Sequence, residues 1–404
     1  MKDRLPIVIA GAGPSGSTLA LYLAKHDIPV IILEKESRPP RDLRASTFHP
    51  ISLDLLADLD ADIVDTMMQK GLHVQRYQYR DRRTGETATF DMSLISDETA
   101  HPFRLQLEQY ELTQLNCQRL ETFEHVDLRF NSKVIGYKET DDGVNVLVSG
   151  PDGDQIFEGA FVVGAEGAGS VIRKSAGLGF LGFTYDEKFL VVSTPFPFED
   201  VFDDFSYVNY VADPDEWCVV LRTDKLWRVL FPTTPENESD EVLLLSDAFI
   251  QERMHHLYDK DGDYEIRHRS LYPVNQRVAE MYFKGRMALV GDACHINNPL
   301  GGMGMNGGLQ DAFCLGEKFD NIYNRGSSYA DELAHYDRQR KDVAVQFVQT
   351  HTIQNKKLME STDPDVQSKR QRMLMETAAD PEAAREFMIE RAMISCYRES
   401  QATV

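Results

Sequence analysis

The chain has 404 residues, which at roughly 100–200 residues per domain suggests about two to three domains and ample material for a large core. Hydrophobic residues make up 42% and charged residues 27%, which excludes a chain too polar to fold, while 65 acidic against 43 basic residues leave a formal charge of −22 that repels nucleic-acid phosphates and anionic lipid. The five cysteines, Cys117, Cys218, Cys294, Cys314 and Cys396, contain no C-x-x-C pair, so neither a disulfide framework nor a zinc site is indicated and a reducing cytoplasm is expected.

No stretch approaches the ~18 consecutive apolar residues of a membrane span, and the short apolar run after Met-Lys-Asp-Arg-Leu-Pro meets glycines instead of a signal-peptide core. Leu5 to Ala10 therefore reads as a first strand. Gly11 to Gly16 is a tight turn, Ser17 to His26 has the apolar spacing of a buried helix, and Pro29 to Leu33 is a second strand. This is the βαβ unit of a parallel sheet. Residues 50–70 look helical, with Leu53, Leu56, Ile63 and Met67 on one side, and another helix is expected near Gln109–Thr122. Alternating segments at Lys133–Tyr137 and Val144–Val148, with turn signals at Asp141-Asp142-Gly143 and Pro151-Asp152-Gly153, imply hairpins.

From about 180 to 275, aromatic and β-branched runs such as Phe205–Val211, Trp217–Arg222 and Trp227–Phe231 suggest a separate, mostly antiparallel sheet. A strand, a glycine-rich turn and a helix return at 285–316, and 329–404 is helical in pattern. The expected fold class is α/β: a discontinuous Rossmann-like nucleotide-binding domain (1–72, 100–179, 276–328), an inserted mostly antiparallel β-sheet substrate domain (73–99, 180–275) and C-terminal helices (329–404).

Two constellations carry chemistry. Gly11-Ala12-Gly13-Pro14-Ser15-Gly16 is a G-x-G-x-x-G between a strand and a helix, where the backbone can approach a pyrophosphate at the helix N-terminus. Glu34, with Lys35 beside it, closes the second strand 23 residues after Gly11, where a carboxylate can accept hydrogen bonds from ribose hydroxyls. Further on, the strand ending in Gly291-Asp292 delivers a carboxylate suited to a polyol chain. Pro299-Leu300-Gly301-Gly302-Met303-Gly304-Met305-Asn306 then turns tightly into a helix, whose N–H groups and positive dipole end suit a ring that becomes anionic when reduced, such as an isoalloxazine. Cys294 and His295 lie beside Asp292, but no other ligands at suitable spacing make a metal site.

These two blocks, with Gly164-Ala165-Glu166-Gly167-Ala168-Gly169-Ser170-Val171-Ile172-Arg173, together resemble the single-component (group A) FAD-dependent monooxygenases of the para-hydroxybenzoate hydroxylase type, over about residues 5–350. The family usually carries Asp-Gly in the middle block; this chain has Glu166-Gly167. The resemblance implies that FAD is bound, with Arg44 on its phosphates and Gln109 and Glu166 contacting it alongside Asp292, Gly304, Met305 and Asn306. It also implies NADH or NADPH as a transient reductant, and places the carbonyl of Pro299 near the oxygen-reactive face of the flavin.

The activity implied is hydroxylation of an activated phenol or hydroxypyridine ring through a flavin C4a-hydroperoxide. An electrophilic oxygen favours an ionised ring, so a base or proton relay is expected, with His49, Tyr207 and Tyr210 as candidates. Arg222 or Arg228, whichever strand alternation turns inward, is expected to anchor an acidic substrate. Alternatives on the same scaffold are Baeyer–Villiger insertion, epoxidation, an isoprenoid-type reductase and a non-catalytic flavin sensor. A halogenase is disfavoured because Trp217 and Trp227 stand in no W-x-W-x-I-P block. The partners expected are a small aromatic substrate, oxygen and NAD(P)H, without nucleic acid or membrane, for a monomer or homodimer.

Overall fold

Ile7–Ala10 is buried along its whole length, which is why it reads as a continuous apolar run instead of an alternating one. In the computed structural model, which describes residues 4–39, 41, 45–233 and 241–403, this strand lies inside a six-stranded sheet. The order is Phe283–Lys284, Met287–Leu289, Phe161–Gly164, Ile7–Ala10, Val30–Leu33 and Val126–Arg129, with every pair parallel except the first. The helix Pro14–Lys25 follows the first strand directly and packs against a long helix, Met303–Arg325.

Residues 50–70 differ from the expected single helix. Asp60 takes an extended conformation between the helices Pro50–Leu59 and Ala61–Lys70. Its carboxylate accepts the Ile63 amide and pairs with Lys25 at 2.8 Å and Arg119 at 2.9 Å, so an N-cap stabilised by two cations outcompetes helix continuation. The helix at Gln109–Leu120 and the antiparallel meander over 133–159 follow the sequence reading.

A second, eight-stranded sheet runs in the order His295–Ile296, His268–Ala279, Phe180–Thr194, Trp227–Pro232, Cys218–Arg222, Val208–Ala212, Arg76–Asp81, Thr87–Asp91. It is antiparallel except where Val208–Ala212 meets Arg76–Asp81. Side chains alternate between its faces. One face, with Tyr77, Tyr210, Val219 and Leu230, packs on Leu374, Ala384 and Met388 of the C-terminal helices. The other, with Val211, Cys218, Val220 and Trp227, packs on Ile250, Met254 and Leu257 of the helix Asp247–Leu257.

Thr47–Phe48, Arg104–Gln106 and Leu72–Val74 form a separate three-stranded sheet, with Arg104–Gln106 in the middle. Helices fill 329–403 apart from short breaks, with a π-helical stretch at Val343–Gln349 that the periodicity did not signal. Among the described residues no helix is long and apolar enough to cross a membrane.

Candidate active site

The nucleotide end of the site is built by the first βαβ unit. Gly11 has φ +99° and a Cβ there would lie 2.6 Å from the Ala165 carbonyl oxygen, so only glycine lets the turn close against the neighbouring strand. Gly13, by contrast, faces open space. It caps the helix without any side-chain hydrogen bond, and Pro14 occupies the first turn, so first-turn N–H groups remain for an anion. Ala12 and Gly16 are buried, and Ser15 packs against Gly291 and Gly308.

Glu34 is 4% exposed, with Oε2 accepting the Ala12 amide at 2.9 Å and Oε1 the Glu36 amide at 3.0 Å. Both oxygens are thereby oriented, each with a lone pair left for a hydroxyl donor. Lys35 points to solvent near Glu36. Gln109 opens its helix, half-buried, with its amide on the Ala45 carbonyl. Arg44 lies outside the described residues.

Glu166 sits at the end of Phe161–Gly164, where Oε2 accepts Ser170 Oγ at 2.7 Å and Oε1 the Ile172 amide at 2.9 Å. Ser170 caps the short helix Val171–Ser175, and Glu166 accepts from that cap and from the first turn; burial pushes its carboxyl up, and these donors act against that shift.

At the ring end, Asp292 is exposed on the turn after Met287–Leu289. Pro299 O accepts the Gly302 amide at 3.0 Å, closing a turn in which Gly301 and Gly302 have φ +99° and +68°. Those left-handed residues bring the chain sharply into the long helix. Gly304 and Met305 stand in its first turn, whose N–H groups lack intrahelical partners. Asn306 ties this turn to the strand at 47–48: Oδ1 accepts the His49 amide at 2.9 Å, and Nδ2 donates to Thr47 O at 2.9 Å and Gly302 O at 2.7 Å.

His49 is fully buried, 2.8 Å from Gly301 O through Nε2. A carbonyl only accepts, so Nε2 carries the hydrogen and Nδ1, which has no partner among the described residues, is left as an acceptor. Burial first and the charge of Arg104 second push His49 down to about 3, against the carbonyls of Gly301 and Gly302. A histidine held that low binds no proton at neutral pH. That shift favours a hydrogen-bond acceptor at Nδ1 over a proton store for His49, which the sequence offered as a base.

The eight-stranded sheet separates the other candidates. Tyr210 is buried on the face toward the C-terminal helices, stacked on Tyr79 at 4.8 Å. Tyr207 is 37% exposed and lies 6.1 Å from Trp227, toward the opposite face. Arg222 also sits there, over the Trp227 ring at 5.7 Å and 3.9 Å from Glu199. Tyr207 and Arg222, both offered by the sequence, therefore lie near Trp227, on the side of the sheet away from Tyr210. Arg228 is the inward arginine, but Glu108 matches its charge at 2.7 Å.

The residues that the sequence did not single out are Arg104, Gln106, Tyr77 and Tyr79. Arg104 and Gln106 share one face of their strand, and Gln106 Oε1 takes the Thr47 hydroxyl at 3.1 Å. Arg104 lies 4.2 Å over the Tyr77 ring and reaches Tyr210 OH at 3.4 Å. Alternation in Tyr77-Gln78-Tyr79 and Arg104-Leu105-Gln106 was readable as strand, but nothing local set those strands beside His49. His49 Nδ1, Tyr77 OH, Arg104 Nε and Gln106 Nε2 are all buried without hydrogen-bond partners among the described residues. Buried polar groups are ordinarily satisfied; His49 is tied to the Gly301 turn at the start of the long helix, and Gln106 and Arg104 lie on the strand paired with 47–48. Among the described residues no cluster of metal-ligating side chains occurs.

A family model described as an FAD binding domain matches residues 4–351. Para-nitrophenol 4-monooxygenase of Pseudomonas sp. (strain WBC-3) is 29% identical over 394 residues, 95% of this chain and 94% of that one. The 6-hydroxy-3-succinoylpyridine 3-monooxygenase HspB of Pseudomonas putida is 30% identical over 358 residues, 88% of each. The crystal structure of p-nitrophenol 4-monooxygenase PnpA from Pseudomonas putida matches with a TM-score of 0.89 at 28% identity, over 97% of this chain and 99% of that one. Such relatives do not favour the Baeyer–Villiger, epoxidising or reductase alternatives. The expected FAD cofactor and α/β architecture hold, and the chain belongs to the FAD-binding-domain family, among the single-component FAD-dependent aromatic monooxygenases.

Proposed function

We propose that the protein hydroxylates an electron-rich phenol or hydroxypyridine ring at the wall formed by His49, Tyr77, Arg104 and Tyr210. One oxygen atom of O2 enters the ring as hydroxyl, the other leaves as water, and NADH or NADPH supplies the two electrons. FAD, when bound, supplies the oxygen activation. The observation that carries this reading is the set of unpartnered buried polar atoms beside the N-terminus of Met303–Arg325.

The remaining roles belong to this chain's own residues. The amide-rich turn at Gly13–Gly16 receives the pyrophosphate. Glu34 takes ribose hydroxyls, Asp292 takes the polyol chain, and Gln109 and Arg44 complete the cofactor contacts. The first-turn amides at Gly304 and Met305 face negative charge that develops on the reduced ring. Asn306 acts through the backbone, holding the 47–49 segment against that turn. Pro299 and Gly301 shape the wall, and His49 accepts a hydrogen bond from a substrate group at Nδ1. Glu166 holds Ser170 and the first turn of Val171–Ser175 in place. Segments 73–99 and 180–275 form the substrate domain in this reading, and five buried free thiols suit a reducing cytoplasm.

The test is turnover. Purified protein should be yellow, and some member of a phenol and hydroxypyridine panel should accelerate NAD(P)H oxidation with hydroxylated ring formed in proportion. Flavin-loaded protein that yields only hydrogen peroxide across the panel would refute the proposal.

A further inference from the structure

We infer that Gln276, Asn298 and Thr352 are positioning residues: together they clamp the Pro299–Gly302 turn between flavin and ring, and so set the share of consumed oxygen that enters the ring. This rests on the ring-hydroxylase reading above. The turn is where the two halves of the proposed site meet. Leu300, 1% exposed, packs in the cluster that holds Tyr77 and Tyr210, and the chain then enters the first turn of Met303–Arg325. Two consecutive glycines with positive φ make such a segment soft on its own.

Three elements hold it. Asn298 is fully buried; its backbone N–H donates to Gln276 Oε1 at 3.0 Å, its Nδ2 to the same oxygen at 3.4 Å and to Thr352 O at 3.0 Å, and its Oδ1 accepts the Leu300 amide at 3.2 Å. Gln276 stands on His268–Ala279, on the same side as Val274, which packs in the Leu300 cluster. Its Nε2 donates to Thr352 Oγ1 at 2.9 Å. Thr352, in the helix Thr350–Glu360, donates its hydroxyl hydrogen to Val348 O at 2.7 Å. Val348 belongs to the π-helical stretch, a geometry found mostly at functional sites, and Gln349 of that stretch donates to Ile296 O at 3.2 Å.

Each side-chain polar atom of the three has a partner. Apolar side chains of the same shape would join these elements without the desolvation cost. A fully satisfied polar network adds direction instead, since it admits one arrangement and rigidifies it. Here that arrangement is the path of the turn. In each cycle the nicotinamide gives up two electrons and solvent supplies a proton. Either O2 is divided between a ring hydroxyl and water, or undivided O2 takes both electrons and leaves as hydrogen peroxide. An opened turn admits water between flavin and ring and loosens their alignment, which favours peroxide while nicotinamide oxidation continues.

Hydrogen exchange of the full chain, with and without FAD, gives the first test. The Leu300 and Gly302 amides should exchange slowly in the wild-type protein although both lie outside helix and strand. Thr352→Val, which keeps the shape and removes the hydroxyl, and Gln276→Met should each speed that exchange about tenfold, the effect of one buried hydrogen bond. Both variants should form severalfold more peroxide per nicotinamide oxidised, with KM for the ring and FAD affinity held within about twofold. Thr352→Ser, which keeps the hydroxyl, should couple as the wild type does. Fast exchange at Leu300 and Gly302 in the wild-type protein would overturn the inference without recourse to a variant. So would Thr352→Val and Gln276→Met proteins with wild-type coupling, or Thr352→Ser protein as uncoupled as Thr352→Val. Those results leave the hydroxylase reading intact, whereas wild-type protein that yields only peroxide across the ring panel takes both down.

Discussion

Asp311→Asn is expected to destabilise the fold strongly although the side chain keeps its size. Asp311 is fully buried on the long helix beneath the cofactor turns. Its Oδ2 accepts the Gly291 amide at 3.2 Å and His295 Nε2 at 2.8 Å, while Oδ1 accepts Arg340 Nε at 2.7 Å. An asparagine offers one acceptor oxygen for donors arriving on two sides. Whichever way the amide turns, its NH2 meets a donor, and the Arg340 guanidinium, 2% exposed, loses its counter-charge. Removing one member of a buried ion pair costs about 3–5 kcal/mol, a large share of a native stability of about 5–15 kcal/mol. Burial alone would raise the Asp311 pKa, but His295 and Arg340 hold it below the usual carboxylate range. A folded pKa below the unfolded value, about 3.9, contributes stability above that value that is lost as pH falls through the folded pKa. The gap between wild type and variant should therefore be widest at neutral pH and narrow in acid. Urea unfolding followed by far-UV circular dichroism across that range is the assay. An Asp311→Asn/Arg340→Met double variant should lose less than the two single losses summed. A single variant within about 0.5 kcal/mol of wild type at neutral pH would refute the reasoning.

Replacing Glu34 with Gln sets an NH2 group against one of the two backbone amides it now accepts, and should weaken FAD binding about tenfold; titration of apoprotein with FAD checks this, and an unchanged affinity counts against the cradle described. His49→Gln should lower turnover while leaving the shape of the pH–rate profile above about pH 5 unaltered, since burial and the Arg104 charge push the imidazole down to about 3. Loss of a limb near neutrality in that variant would show His49 to be a base after all. Arg222→Ala should leave ring affinity and kcat unchanged and cost at most about 1 kcal/mol of stability, because the side chain lies on the far face of the sheet. A marked rise in KM for acidic rings would place Arg222 back at the substrate.

What can be read without tertiary information lies close together along the chain. Strand, turn, helix and strand from 7 to 33 fall within one βαβ unit, and the geometry that needs Gly11 is imposed by its own tight turn. Glycine at 301 and 302 likewise announces a left-handed turn into a helix. Even the break at Asp60 is local in its hydrogen bond to Ile63, though Lys25 and Arg119 come from elsewhere. The proposed substrate wall is different. It depends on strand 104–106 pairing with 47–48, and no local preference sets that long-range pairing. The choice between Arg222 and Arg228 was closed to sequence for a further reason. Alternation reveals orientation only when one face of a sheet is wet, and here Cys218 and Val220 are as apolar as Val219 and Leu221. Both faces of this sheet are covered by helices, so residues of either parity are hydrophobic. Which arginine faces Tyr210 and the C-terminal helices was decided by what packs on each side.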